Sequence, residues 1–199
     1  MDNIWNKIPL EDYEFHMQHA SVGQLQLLNS LTKKYLDKLN PKTAMFLGIA
    51  GGNGLEHINN KVTKEVIGID INQAYLNQTA QRFKNQIPKL NLFKIDISSI
   101  KAKQITQSDF IWAALILEYV YTETCFEFIH NNIQENGYLV VTIQENNGVT
   151  SISQTGVETI KTAGQLFKIV QEVKLLSNAA KFGFDKMPLK KIFYQTGNH

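Results

Sequence analysis

The sequence predicts an α/β fold, an open and mostly parallel sheet with helices on both faces and an antiparallel strand at one edge. Three observations predict it. Short apolar runs alternate with longer segments of helical period through residue 145. Turn-forming pairs punctuate them at Asn40-Pro41 and Asn136-Gly137. No repeat, low-complexity stretch or linker divides the 199 residues. Strands separated by helices imply right-handed crossovers, so the sheet is parallel and covered on both faces.

The elements follow in order. Residues 9–39 read as mostly helical, with Val22, Leu25, Leu28, Leu31, Tyr35 and Leu39 recurring every three or four positions. Asn40-Pro41 ends that region. Ala44 to Ile49 is a first strand, followed by the cluster AGGNG and a helix from Leu55. Val66 to Ile71 is a second strand and 73–86 a polar helix. Leu90 to Ile95 is a third strand, ending at Asp96. Phe110 to Leu115 is a fourth, leading into a helix over about 120–135. Asn136-Gly137 is a turn and Tyr138 to Ile143 a fifth strand. A helix around 172–182 precedes Gly183-Phe184, and Leu189 to Thr196 is the antiparallel edge strand. The whole reads as one domain, 1–199. Residues 1–43 form a helical cover, 44–145 the core, and 146–199 a C-terminal helix and edge strands.

Charge and composition exclude several function classes. Twenty basic against eighteen acidic residues are too balanced for a nucleic-acid or membrane surface. Only Arg82 is arginine, so the planar fork needed for bidentate reading of phosphates or guanines is nearly absent. Cys125 stands alone, which excludes an intrachain disulfide and a cysteine-based zinc site. The five histidines lack paired ligand spacing apart from His16 and His19, so no metal is expected. The acidic N-terminus is no signal peptide, and the longest apolar run, Phe110 to Leu117, is far too short to span a membrane. The expectation is a cytoplasmic protein with a small-molecule partner, no nucleic acid and no membrane.

In an open parallel sheet, ligands bind beyond the carboxyl ends of the strands. The first strand ends in FLGIAGGNGLEH, with glycines at 48, 51, 52 and 54. Such a loop turns tightly and brings backbone N–H groups against a ligand. Asp70 ends the second strand sixteen residues after Gly54, where a carboxylate accepts from both hydroxyls of a ribose. Asp96 ends the third, where a carboxylate accepts from an exocyclic amine such as adenine N6. Ile71 and Ile97 are placed to sandwich the base. Each feature has a plain structural reading, a tight turn or a helix N-cap. Their order on three consecutive strands favours an adenosine site.

These residues resemble the class I S-adenosylmethionine-dependent methyltransferases. Phe46-Leu47-Gly48-Ile49-Ala50-Gly51-Gly52-Asn53-Gly54 lies over the family's first motif, Asp70 over its ribose acid, and Asp96 over its adenine-side acid. DFIWAALILEYV and GYLVVTI are similar to its fourth and fifth strand segments. Gly48 stands where the motif has an acid, and Ala50 where it has its first glycine.

The resemblance covers roughly 44–145. It implies a small bacterial-type enzyme with a Rossmann-like sheet of about seven strands, the last antiparallel. It also implies S-adenosylmethionine as cofactor, bound by Gly48, Ala50, Gly51, Gly52, Asn53, Gly54, Asp70, Ile71, Asp96, Ile97 and Ala113.

Methyl transfer from a sulfonium is a direct displacement, so the protein mainly aligns the reactants. The acceptor is expected near Ala113 to Tyr121. Ala114-Leu115-Ile116-Leu117 lacks the Asn/Asp-Pro-Pro-aromatic motif of relatives acting on amino groups of bases or glutamine. Residues 9–30 are expected to form a lid. Within it His16 is a candidate base and Tyr13 a wall facing the sulfonium. Glu118 is a candidate pocket hydrogen-bonding group. Two other functions stay open, a non-enzymatic S-adenosylmethionine sensor or scaffold and an NAD-dependent oxidoreductase. The latter fits less well because His57 stands where a dinucleotide loop needs its third glycine.

Overall fold

The computed structural model describes residues 3–98, 105–144, 153 and 155–185. Five strands form one sheet: β1 (Thr43–Leu47), β2 (Glu65–Asp70), β3 (Leu90–Lys94), β4 (Ser108–Ala114) and β5 (Ile133–Thr142). Their spatial order is β3-β2-β1-β4-β5 and every pairing is parallel. Six helices accompany them: α1 (Leu10–Gln18), α2 (Gln24–Leu39), α3 (Gln73–Phe83), α4 (Thr122–Asn132), α5 (Glu158–Ala163) and α6 (Glu172–Lys181).

The central strands are nearly continuous apolar runs because both of their faces are covered. Alternate residues of β1 divide between two cores, as the two-residue period of a strand requires. Met45 and Leu47 join Phe126 and Ile129 of α4 and Leu175 of α6. Ala44 and Phe46 join Leu36 of α2 and Leu76 and Phe83 of α3. The chain leaves β1 toward β2 on one side, while β4 and β5 lie on the other. The crevice above the carboxyl ends of β1 and β4 is therefore the switch point of the sheet, the usual place for a ligand.

The described residues hold five strands, not about seven, and none is antiparallel. The expected edge strand at Leu189–Thr196 lies outside the described residues. The helix expected from Leu55 is one 3₁₀ turn, Leu55–His57. Side chains there compete for the backbone. Glu56 accepts from the Gly54 N–H at 2.9 Å and Asn59 Oδ1 from the Lys61 N–H at 3.0 Å. Such local bonds divert the chain from a helix ladder. Leu28, Leu31, Tyr35 and Leu39 of α2 pack into that core instead.

The Asn136-Gly137 turn lies within β5. Ile133 pairs with Ser108 and Tyr138 with Phe110, so four residues bulge opposite Asp109, with Asn136 at φ 62°. The N-terminal region is two helices rather than one rod. His19 to Gly23 breaks it, with Gly23 at φ 60° and the Ser21 hydroxyl 2.8 Å from His19 Nδ1. Asn40 in the left-handed region closes α2 just before Pro41. Among the described residues, no helix is long and apolar enough to cross a membrane.

Candidate active site

The glycine loop leaves β1 through a run of left-handed residues, Gly48 at φ 65°, Ala50 at 46°, Gly52 at 81° and Gly54 at 94°. Ala50 adopts this geometry with help. Its N–H donates to Asp70 Oδ2 at 2.9 Å, and its carbonyl accepts from the Thr79 hydroxyl at 2.6 Å. Space and conformation both require glycine at position 52, where a Cβ would stand 2.7 Å from Phe83 Cε2. Gly52→Ala is expected to destabilise the fold by about 1–3 kcal/mol, read by urea unfolding. An unchanged midpoint would contradict this geometry.

Asp70 is 8% exposed. Its Oδ1 accepts from the Asn72 N–H at 2.9 Å, while Oδ2 holds Ala50. Burial pushes its carboxyl above the ordinary range, and the N–H groups of Asn72, Ala50 and Ile71 oppose that. Asn72 caps α3 through its side chain, accepting from Ala74 at 2.9 Å, and donates to the Trp5 carbonyl at 2.8 Å. One short segment thus joins the end of β2, the glycine loop and the N-terminus.

Aromatic rings roof this edge. Trp5 packs edge-on against Tyr119 at 4.9 Å and against Tyr13 at 6.1 Å, and Tyr13 lies 6.2 Å from Tyr75. Burial raises the phenol pKa values of Tyr13 and Tyr75, and the Asp70 charge adds to both. Among the described residues, the Tyr75 hydroxyl is buried with no hydrogen-bond partner. So are Glu118 Oε2 and Thr142 Oγ1 at the ends of β4 and β5. Buried polar atoms normally find partners, so three orphans along one sheet edge point to a ligand.

Glu118 is 1% exposed. Its Oε1 accepts from the Gln144 N–H at 2.6 Å. Burial pushes its carboxyl up to about 7, with backbone N–H groups opposing.

The structure brings together Gly48, Ala50, Gly51, Gly52, Asn53, Gly54, Asp70 and Tyr13 at or beside the loop. Asn53 turns its amide to the Leu25 carbonyl at 2.9 Å. Gly51 lies under Glu14 of α1 and Arg82 of α3. Arg82 Nη2 donates to Glu14 Oε2 at 2.9 Å, and its Nη1 to the Gly51 carbonyl at 3.1 Å. Asp96 is exposed and accepts from the Ser98 N–H at 2.9 Å, the local turn that its strand-end position also allowed. Ile97 is buried in the core.

Ala113 is fully buried and pairs with Leu47 and Val141, so its side chain is core rather than pocket wall. His16 does not face the rings. Its Nδ1 is 2.8 Å from the Thr155 hydroxyl, and burial, then His19, lowers its pKa. His57 contacts Asn29. Among the described residues, no three His, Cys, Asp or Glu could hold a metal ion.

Sequence reasoning missed Trp5, Asn72, Tyr75 and the Glu14–Arg82 clamp. Asn72 was findable, since an Asx residue two positions past a strand end is a helix-cap signal. Trp5 belongs to no periodic segment and had none.

Residues 46–141 match the family described as a methyltransferase domain. No curated protein sequence matches the chain. Among solved structures, the N-methyltransferase NodS from Bradyrhizobium japonicum WM9 is 16% identical, with a TM-score of 0.56. That match covers 78% of this chain and 80% of that one. NodS with S-adenosyl-L-homocysteine matches at 18% identity over 70% and 72%, TM-score 0.55. The [4+2]-cyclase SpnF is 17% identical over 79% of this chain and 57% of that one, TM-score 0.61. Identities this low speak for the fold alone, and a cyclase among them shows that one fold serves more than one reaction. The family match over residues 46–141 and the loop geometry agree, and both are consistent with a class I S-adenosylmethionine-dependent methyltransferase.

Proposed function

We propose that the chain transfers the methyl group of S-adenosylmethionine to a small-molecule acceptor seated over β4 and β5. The observation that carries this reading is Asp70, a buried carboxylate at the end of β2 that also holds the glycine loop by the Ala50 N–H. A ribose would be held by Asp70, with Ile71 flanking the base and Asp96 facing its amino group. The loop from Gly48 to Gly54 would lie along the rest of the cofactor. The cofactor supplies an electrophilic methyl group. The protein's own part is to orient the acceptor and exclude water.

Isothermal titration with S-adenosylmethionine and S-adenosylhomocysteine tests this. Binding of both supports it, and no heat from either at millimolar ligand overturns it.

We read residues 1–43 as the cover, 44–145 as the cofactor core and 146–199 as the C-terminal part. The cover reaches the loop through Glu14 and Arg82, with side chains 25% and 41% exposed, so the pair stabilises the fold by about 1 kcal/mol or less. Arg82→Ala is therefore expected to lower stability little while speeding protease cleavage at His19–Gly23 and weakening cofactor binding. Unchanged cleavage and affinity would make the segment fixed packing rather than a lid.

The sensor reading draws on Gly48. It sits at φ 65°, a backbone conformation that an acidic residue rarely adopts, and a Cβ there would press on Ile116 Cδ1 at 3.1 Å. Turnover on any acceptor decides against it. The NAD reading loses further support, because the 3₁₀ turn after the loop offers no helix N-terminus to a pyrophosphate.

A further inference from the structure

Resting on the methyl-transfer reading, we propose that the acceptor is an aliphatic amine and that Glu118 binds its nitrogen at the carboxyl ends of β4 and β5. Three observations converge.

The first is position. Glu118 follows β4 and accepts from the Gln144 N–H just past the end of β5, whereas Asp70 ends β2. In the order β3-β2-β1-β4-β5 these carboxylates are up to three strand spacings apart, about 14 Å. That separation is too long for both to serve one ribose, and it suits a carboxylate on the far side of the transferred group.

The second is an unmet bond. Oε1 is occupied, but Oε2 is buried without a donor among the described residues. The donor that completes it must come from outside the described side chains, and an N–H of an amine does so with charge assistance.

The third is the surroundings. What opposes the burial of this carboxylate is backbone N–H, so among the described residues its charge has no cationic partner. Beside it, Tyr119 packs against Trp5 at 4.9 Å and Phe167 at 5.9 Å, and ring faces favour an alkylammonium. A hydroxyl or thiol acceptor would complete Oε2 but leave the charge unmatched. An ammonium bound there can pass one proton from nitrogen to Oε2, which frees the nitrogen lone pair. The N–H bond breaks as the O–H bond forms, and nothing else is consumed.

The test uses the full-length chain at pH 8. Benzylamine and n-propylamine are titrated calorimetrically, each against the alcohol of the same skeleton, with and without S-adenosylhomocysteine. The wild type is expected to prefer amine by about tenfold or more, and Glu118→Gln to lose most of that preference. S-Adenosylhomocysteine affinity should stay the same in the variant. Absent amine binding, equal binding of amine and alcohol, or a preference that survives Glu118→Gln overturns the proposal. So does a variant that weakens S-adenosylhomocysteine binding instead, because Glu118 would then serve the cofactor. If S-adenosylhomocysteine does not bind the wild type, the methyl-transfer reading falls, while the amine preference of the free chain still decides the role of Glu118.

Discussion

Replacing Asp70 with alanine is expected to weaken S-adenosylmethionine binding by roughly 1–3 kcal/mol, about 5- to 150-fold, through loss of charged hydrogen bonds. Two contributions combine. A ribose loses its carboxylate partner, and the loop loses the bond that holds Ala50 in its left-handed conformation. Asp70→Asn separates them. The amide oxygen can keep one backbone donor, but the charge and the second acceptor are gone, so intermediate binding is expected. Calorimetric titration of both variants measures this. Unchanged affinity in Asp70→Ala would refute the ribose assignment.

The contribution of Glu118 to the stability of the protein should fall as pH rises from 5 to 8. Its carboxyl is raised from an ordinary 4.5 to about 7 by burial. Below 4.5 it is protonated in folded and unfolded chains alike, so its burial carries no electrostatic penalty. Between 4.5 and 7 the unfolded chain ionises while the folded one keeps its proton, so stability is progressively lost. Above 7 both are ionised, and the full difference of about 3 kcal/mol has been lost.

Glu118→Gln removes the titration while keeping an oxygen for the Gln144 N–H. The variant is therefore expected to gain about 3 kcal/mol on the wild type between pH 5 and pH 8, measured by urea unfolding at each pH. The raised carboxyl of Asp70 acts in the same direction but is common to both chains, so it cancels in the difference. A constant wild-type-to-variant difference would show that Glu118 is not strained by its burial. A residue whose removal stabilises the fold is retained for function, a common trade-off at active sites.

The sheet was legible in the sequence because buried parallel strands are short apolar runs and every crossover had room for a helix. Ala44 to Ile49, Val66 to Ile71 and Phe110 to Leu115 fall within a residue or two of β1, β2 and β4. The glycine loop and Asp70 were legible for the same local reason, since turn conformation and strand-end position are written in neighbouring residues. The missing helix after Leu55 was not legible. Its segment has no α-helix of its own, and the apolar face of α2, far off in sequence, packs on that side of the sheet.

The candidate site depended most on tertiary contacts. Tyr13 and His16 are three residues apart in one helix, yet Tyr13 joins the rings beside Asp70 while His16 turns to Thr155. Ala113 looked like pocket wall because it ends a strand, but strand alternation sends it into the core. Glu118 was visible as an acid in the right place. That one of its oxygens is held by the Gln144 N–H and the other has no donor among the described residues depends on how the far ends of β4 and β5 are packed. By itself, then, the sequence determined the parallel sheet, the glycine loop and the carboxylate at the end of β2, all features of local period and spacing. The tertiary structure alone decided which acid is desolvated and which histidine is turned away, because desolvation and unmet hydrogen bonds are set by neighbours remote in the chain.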